Sequence, residues 1–350
     1  MNKFVTPLIG IMIAYGCFHV FSQDTTQTTN SNEIPAYLGE TFKLWMKSHN
    51  KSYTSEAEFK HRLSIFVDNY NALPELRKTR THQVGLTKFS DLTTQEFLTK
   101  YGGVFPSQKP IPTTFRARSG DRIAASSTPV DHSTKIVEVK DQASCGSCWA
   151  FSSNAALEFA YNTANRVPAE SLVSLSEQEL VDCCAESHGC NGGMIDFAME
   201  YVKSQGLTSE EAYPYLAKNG KCNTKDKPRV IGTKDMGWFI DVPAYDGVEL
   251  EKAVSTNIVA ITVDATDLKT YVGGVITFAF FNGINHGVAI VGYGTDSVTG
   301  IDYFKIRNSW GTGWGESGYF RVARDTNVPG IGVMGIRTNP TYPIIYEHQD

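Results

Sequence analysis

The sequence predicts an α+β chain in which helices come first and strands follow. Three observations carry that expectation. Apolar residues recur at helical spacing around Phe42, Leu44, Trp45 and Met46, and helical periodicity returns from Glu56 to Arg80. A richer run, Trp149, Phe151, Ala155, Ala156, Leu157, Phe159 and Ala160, meets no proline before Pro168 and predicts a buried helix from Cys148 to about Asn162. Past Pro214 the pattern changes to short β-branched and aromatic runs, Val259 to Val263, Val275 to Phe281, Val288 to Tyr293, Tyr303 to Ile306 and Tyr319 to Val322, which read as strands. With 350 residues, 41% of them hydrophobic and 20% charged, the chain can fill two or three core-bearing units.

Taken in order, Met1 to Ser22 carries Lys3 and then an apolar run from Leu8 to Phe21, with small residues before Gln23; it reads as a secretory signal peptide, residues 1–22. A membrane anchor fits less well, because the run is short and holds Gly10, Gly16 and His19. Gln23 to Glu33 is polar and reads as a spacer. Within the helical stretch after it, Glu58, Arg62, Phe66 and Asn69 share one broad face, and Pro74 predicts a kink or early end near Leu73. Pro106 to Pro129 is rich in Pro, Ser, Arg and Ala and reads as an exposed connector. The divisions are therefore 1–22, 23–128 and 129–350.

The chemistry centres on Gln142-Ala-Ser-Cys145-Gly-Ser-Cys148-Trp149. A thiol in the first turn of a helix faces unpaired N–H groups and the positive end of the helix dipole, both of which favour thiolate, the nucleophilic form. Cys145-x-x-Cys148 alone also fits a redox pair or half a zinc site. Two downstream stretches weigh on the choice: Ile284-Asn285-His286-Gly287-Val288 before an apolar run, and Arg307-Asn308-Ser309-Trp310-Gly311 with Trp314 and Tyr319 beyond. Together these three stretches resemble the active-site signatures of papain-like cysteine proteases, in the same order along the chain. Glu58, Arg62, Phe66 and Asn69, followed by Gly85-Leu-Thr87-Lys-Phe89-Ser-Asp91, resemble the two motifs of the cathepsin L-type inhibitory prodomain. That motif departs at Leu73, Arg77 and Thr87, where Ile, Asn and Asn are usual.

The resemblance implies a papain-like two-lobe fold, a helical lobe against a β-barrel-like lobe, preceded by a helical prodomain that inhibits the enzyme in cis. It implies Cys148 as nucleophile, His286 as acid and base, Asn308 as orienter of His286, and Gln142 with the Cys148 N–H as oxyanion donors. Trp310 would shield the His–Asn bond. Gly192 and Gly193 would pair with extended substrate, and Met194, Ile195, Thr262 and Ile284, with Asn339 at the base, would line a pocket for an apolar residue two before the cut. Arg fits that pocket poorly, as no acidic residue is expected at its base. Disulfides Cys145–Cys190 and Cys183–Cys222 are implied, leaving Cys148 and Cys184 free; Cys183 and Cys184 compete for one partner. A third bridge of many relatives is replaced by Phe280 and Met334, expected to pack together. Maturation would cut between about Ala124 and Pro129.

Two departures bear on the site. Ala143 follows Gln142 where Gly is common, and costs about 1 kcal/mol if the position needs positive φ. His132 stands where relatives usually carry Trp. No paired histidines mark an exopeptidase loop, so the expectation is an endopeptidase acting on proteins and peptides, monomeric, without cofactor or metal. No phosphate loop, HExxH pair or basic stripe points to nucleotide, metal or nucleic-acid work, and no membrane contact is expected once the signal is removed. The expected location is the secretory pathway, ending in a lysosome or acidic vacuole or outside the cell. Residues 23–128 carry 14 Lys and Arg against 10 Asp and Glu, and residues 129–350 carry 17 against 27. A basic prodomain on an acidic enzyme predicts weaker docking as carboxylates protonate.

Overall fold

The computed structural model describes residues 34–104, 128–324 and 330–347. The expected signal peptide, and all of the connector and cleavage region up to residue 127, lie outside the described residues.

The N-terminal part is helical. α1 (Ala36–Ser48) and α2 (Glu56–Thr79) cross where Phe42, Trp45 and Phe66 bury one another, with Phe42 and Phe66 ring centroids 5.0 Å apart. Ser55 starts α2 by accepting the Glu58 N–H. The early end expected near Leu73 does not occur: α2 continues through Pro74 to Thr79. The missing donor is one bond of a long helix, and tertiary contacts hold the turns on either side of it. Leu73 is buried, and Arg80, just past the end, pairs with Asp267 at 2.8 Å. After β1 (Gln83–Val84) comes α3 (Thr94–Tyr101), opened by a capping box between Thr93 and Glu96.

The remaining chain forms two lobes. After the short β2 (Val130–Asp131), the first lobe holds α4 (Cys148–Ala164), α5 (Glu177–Cys183) and α6 (Ile195–Gln205), with the small pair β3 (Leu207–Thr208) and β4 (Arg229–Ile231) beside them. α4 is buried on almost every face, as its apolar sequence requires.

The second lobe contains β5 (Met236–Asp241), α7 (Gly247–Thr256), β6 (Val259–Val263), β7 (Tyr271–Gly273), β8 (Val275–Ile276), β9 (His286–Thr295), β10 (Asp302–Arg307), β11 (Tyr319–Ala323) and β12 (Thr341–Ile345). The sheet runs β5-β12-β6-β9-β10-β11-β8, with β2 added against β9. β9 is the seam of the molecule. Val288 and Ile290 enter the core of the strand lobe, whereas Ala289 and Val291 enter the core around α4. That alternation explains why the stretch reads as one continuous apolar run: it is a strand buried on both faces.

Two expectations in this lobe fail. The run Val275 to Phe281 forms strand only over Val275–Ile276, and Phe278, Phe280 and Phe281 are exposed beyond it. Aromatic composition suggests a strand, but among the described residues no strand pairs with the run beyond Ile276. Met334 is buried in the core, yet Phe280 is 62% exposed and lies against Phe278 and Arg80, so the expected Phe280–Met334 packing is not formed. It is Phe281 that covers the neighbouring Gly335.

The N-terminal domain docks on the strand lobe. β1 pairs with β7, the Gly85 N–H donates to the Thr270 carbonyl, and Thr87 Oγ1 donates to the Lys269 carbonyl at 2.6 Å. Phe89 and Phe97 join the core of the strand lobe.

Candidate active site

α4 begins at Cys148, so the thiol sits where helix N–H groups have no helical acceptor. β9 begins at His286, and Gly287 packs so closely that a Cβ there would stand 3.1 Å from the Cys148 carbonyl oxygen. One lobe thus brings the thiol and the other the imidazole to the same seam. Cys148 and His286 are both fully buried.

The imidazole is fixed from one side. Asn308 Oδ1 accepts the Ser309 N–H at 2.8 Å, which identifies that atom as oxygen; His286 Nε2, also 2.8 Å from it, therefore donates. Trp310 stacks on the ring at 4.6 Å, so the bond is kept from water. Nδ1 is buried and makes no hydrogen bond, leaving it free to take a proton. Burial pushes the Cys148 thiol up to about 12, against the backbone N–H groups of Gly287, Trp149 and Cys148, which pull it down. Burial likewise pushes His286 down to about 4, with Asn308 and the Tyr101 carbonyl working against it. In this covered state burial favours the uncharged thiol and the uncharged imidazole.

Gln142 is held as firmly as the ring. Its Oε1 accepts from Ser309 Oγ at 2.6 Å, and its backbone carbonyl accepts from Tyr215 at 2.8 Å. Its Nε2 donates to the Cys145 carbonyl and, at 3.2 Å, to the carbonyl of Tyr101 in the N-terminal domain. Ala143 has φ 50°, the strained conformation that the usual Gly relieves. His132 closes a different seam: its Nε2 lies 2.8 Å from the Val254 carbonyl and its ring packs on Phe159.

The N-terminal domain leaves α3 into this cleft. Gly103 and Val104 N–H both donate to the Asn285 carbonyl, at 3.0 and 3.4 Å. Gly193 N–H donates to the Gly103 carbonyl at 2.9 Å, and Val104 pairs with Gly193 in parallel. Gly193 must lack a side chain, since a Cβ would lie 2.5 Å from the Trp149 ring. Gly103 has φ +145° and passes directly over the Gly146 carbonyl, which no Cβ would allow. Val104 then meets Met194, Ile195, Asp196, Thr262 and Asn339 around one cavity. Ile284 does not line it; it is half-buried in the loop that enters β9. Asp196 and Val104 do line it, and neither was expected there. Asp196 is in the first turn of α6, so its neighbour Ile195 carried the signal that could have found it.

Cys145 is joined to Cys190 and Cys183 to Cys222; Cys148 and Cys184 are free and buried. Among the described residues no group of three or more His, Cys, Asp or Glu could hold a metal ion, and no helix is long and apolar enough to cross a membrane.

Residues 125–344 match the papain family of cysteine proteases, and residues 42–97 match the cathepsin propeptide inhibitor domain. The chain belongs to the papain family. Among relatives of this cysteine endopeptidase, the probable cysteine protease RD21B of Arabidopsis thaliana is 37% identical over 330 residues, 91% of this chain and 69% of the relative. Vignain of Phaseolus vulgaris is 38% identical, covering 88% of this chain and 85% of the relative. Among solved structures, a recombinant stem bromelain precursor matches with TM-score 0.76 and 31% identity over 88% of this chain and 99% of that one. Digestive procathepsin L 3 from the larval midgut of Tenebrio molitor matches with TM-score 0.74 and 35% identity, over 89% and 100%. This papain-family protease is thus a zymogen carrying its own inhibitory propeptide. The prodomain's Phe89 and Phe97 pack edge-on to Trp310, and its Lys88 bonds both Asp141 and the Trp310 carbonyl at 2.7 Å. Phe66 and Asn69 of the prodomain motif act inside and across it: Phe66 fills its core, while Asn69 bonds the Ser90 and Leu92 carbonyls and Lys269. Arg62 bonds Glu96 and the Asp91 carbonyl; Asp91 is held by Lys51 and Tyr53; Glu58 bonds Thr54. Gly85 sits against Val272 of the peptidase domain.

Sequence reading missed Tyr101, Asn285, Ser309 and Tyr215. Ser309 lies within the Asn308 motif and was within reach. Tyr215 carries no local signal, because only the fold brings it to Gln142.

Proposed function

We propose that residues 129–350 form a peptidase that cleaves peptide bonds through a thioester on Cys148, and that residues 23–128 block it until they are removed. The observation that carries this reading is the Tyr101 carbonyl, which accepts from Gln142 Nε2 beside His286. A prodomain carbonyl occupies the place where a substrate carbonyl would be polarised. Chain running the other way would pair antiparallel with Gly193, which is how a substrate is distinguished from the blocking segment.

In this mechanism His286 Nδ1 takes the Cys148 proton. The thiolate attacks the carbonyl carbon, and the oxyanion is held by Gln142 Nε2 and the Cys148 N–H. The tetrahedral intermediate collapses, the C–N bond breaks, and His286 returns the proton to the leaving amine. Water, deprotonated by the same ring, then attacks the thioester and releases the acid. Asn308 keeps the ring turned through both steps. The uncharged forms that burial favours in the covered state support the blocking role: returning water to the site removes that burial penalty. Met194, Ile195, Thr262 and Asn339, with Gly192 and Gly193 alongside, would receive an apolar side chain two before the cut, where Val104 now lies; Asp196 also lines that cavity, so the expected lack of an acidic residue no longer argues against Arg there. Its disulfides fit a secretory route to a lysosome, an acidic vacuole or the outside of the cell.

The test is to hold the purified precursor at neutral and mildly acidic pH and follow mass and peptide turnover, beside Cys148→Ser. Loss of the segment before about residue 129, with turnover absent in the variant, is expected. Turnover that survives Cys148→Ser would sink the mechanism.

A further inference from the structure

We propose that Asp264 is a positioning residue that holds the Asn285 carbonyl where the cleft reads a peptide N–H, and so governs substrate binding more than thiol chemistry. The inference rests on the peptidase reading and adds a residue to it.

Asp264 is 2% exposed and directly follows β6, whose last residue Val263 lies opposite His286 in register. Its carboxylate is fully engaged. Oδ2 accepts the Asn282 N–H at 2.6 Å; Oδ1 accepts the Thr266 N–H at 3.0 Å, Thr266 Oγ1 at 2.5 Å and Asn285 Nδ2 at 3.1 Å. A turn-closing aspartate needs only the Thr266 bonds. The other two reach across to the loop that enters β9, and clamp both ends of the stretch from Asn282 to Asn285. Asn285 is pinned further: its Oδ1 accepts the Ala265 N–H at 2.9 Å and its own N–H donates to the Val263 carbonyl at 3.0 Å. Side chain and N–H being committed, its carbonyl faces the cleft, where it takes the Gly103 and Val104 N–H groups. His286, although next in sequence, is oriented separately by Asn308 and Trp310. The two functions can therefore be separated by mutation.

Asp264→Asn keeps the shape and supplies one acceptor where two oxygens are needed. Whichever way the amide turns, an NH₂ meets the Asn282 N–H or the Asn285 amide, so a buried donor is left unpaired. The carbonyl contact is made equally in the ground state and the transition state, so its loss falls on KM. The expected result with activated full-length precursor is a KM for a peptide substrate raised about 10- to 100-fold with kcat within about threefold. Alkylation of Cys148 by iodoacetamide, which presents no peptide backbone to the cleft, should keep its rate and pH profile. Thr266→Val, which loses only the hydroxyl bond, should match wild type. In the unprocessed precursor of Asp264→Asn, amide exchange at Gly103 and Val104 should quicken, which reads the same acceptor without maturation. Equal loss of kcat and alkylation rate would overturn the proposal, because Asp264 would then support the catalytic loop as a whole; an unchanged KM would overturn it as well. If the wild-type enzyme turned over peptide after complete alkylation of Cys148, the peptidase mechanism itself would fail, and this inference with it.

Discussion

Replacing His82 by Phe should remove much of the acid sensitivity of prodomain docking. His82 is 6% exposed, neither ring nitrogen has a hydrogen-bond partner, and the ring packs 5.6 Å from Tyr271 of the peptidase domain. Burial, with Arg80 nearby, pushes it from 6.5 down to about 4. A histidine that regains about 6.5 on release is neutral in both states above pH 7, so it then contributes nothing to pH dependence. As pH falls below about 6.5, the released form gains a proton that the docked form refuses, and docking weakens until about pH 4. At pH 5 the loss is roughly 2 kcal/mol, or about 30-fold in the docking equilibrium. Phe fills the same space against Tyr271 and does not titrate. The assay is amide exchange at Gly85 and Gly103, whose N–H groups bond peptidase-domain carbonyls, in a full-length Cys148→Ser background at pH 7.5 and 5. After correction for intrinsic exchange, the His82→Phe variant should keep most of the protection that the parent loses on acidification. An identical loss in both would refute the reasoning. Burial raises the interface carboxylate Asp267, while Arg80 of the prodomain pulls it down.

Other outcomes rest on the same geometry. Gln142→Ala should lower kcat about 10²- to 10³-fold, measured against a peptide substrate, as loss of one oxyanion donor does. Ala143→Gly should relieve strain at φ 50°, raising stability by about 1 kcal/mol and Tm by about 2–4 °C in a melt, with activity unchanged. Cys148, pushed up to about 12 by burial in the precursor, should react with iodoacetamide at pH 7 at least about 100-fold more slowly there than after maturation, because only the thiolate reacts. Lys88→Ala should loosen the prodomain at Asp141 and Trp310, raising the precursor's residual turnover at neutral pH several-fold.

The residues themselves determined the class of chemistry and pointed to the actors proposed for it. A thiol at the head of an apolar helix, a His before a doubly buried strand and an Asn before Trp-Gly are local patterns, each set by neighbours within about ten residues. α4 appeared where the apolar run required it, because burial of a continuous apolar surface leaves few alternatives. The same reasoning failed where the decision was made by distant contacts. α2 continues through Pro74 because Leu73 and Arg80 are held by tertiary packing and by Asp267, and a proline's local cost says nothing about those. The aromatic run after Ile276 finds no strand to pair with among the described residues. Asp196 stands around the cavity that Val104 enters, a neighbour that the sequence alone did not single out. The protonation state was likewise out of reach of the sequence. Helix end and partner imidazole argue for an ion pair, whereas in the assembled zymogen burial pushes the thiol up and the imidazole down, a direction that depends on the covering prodomain.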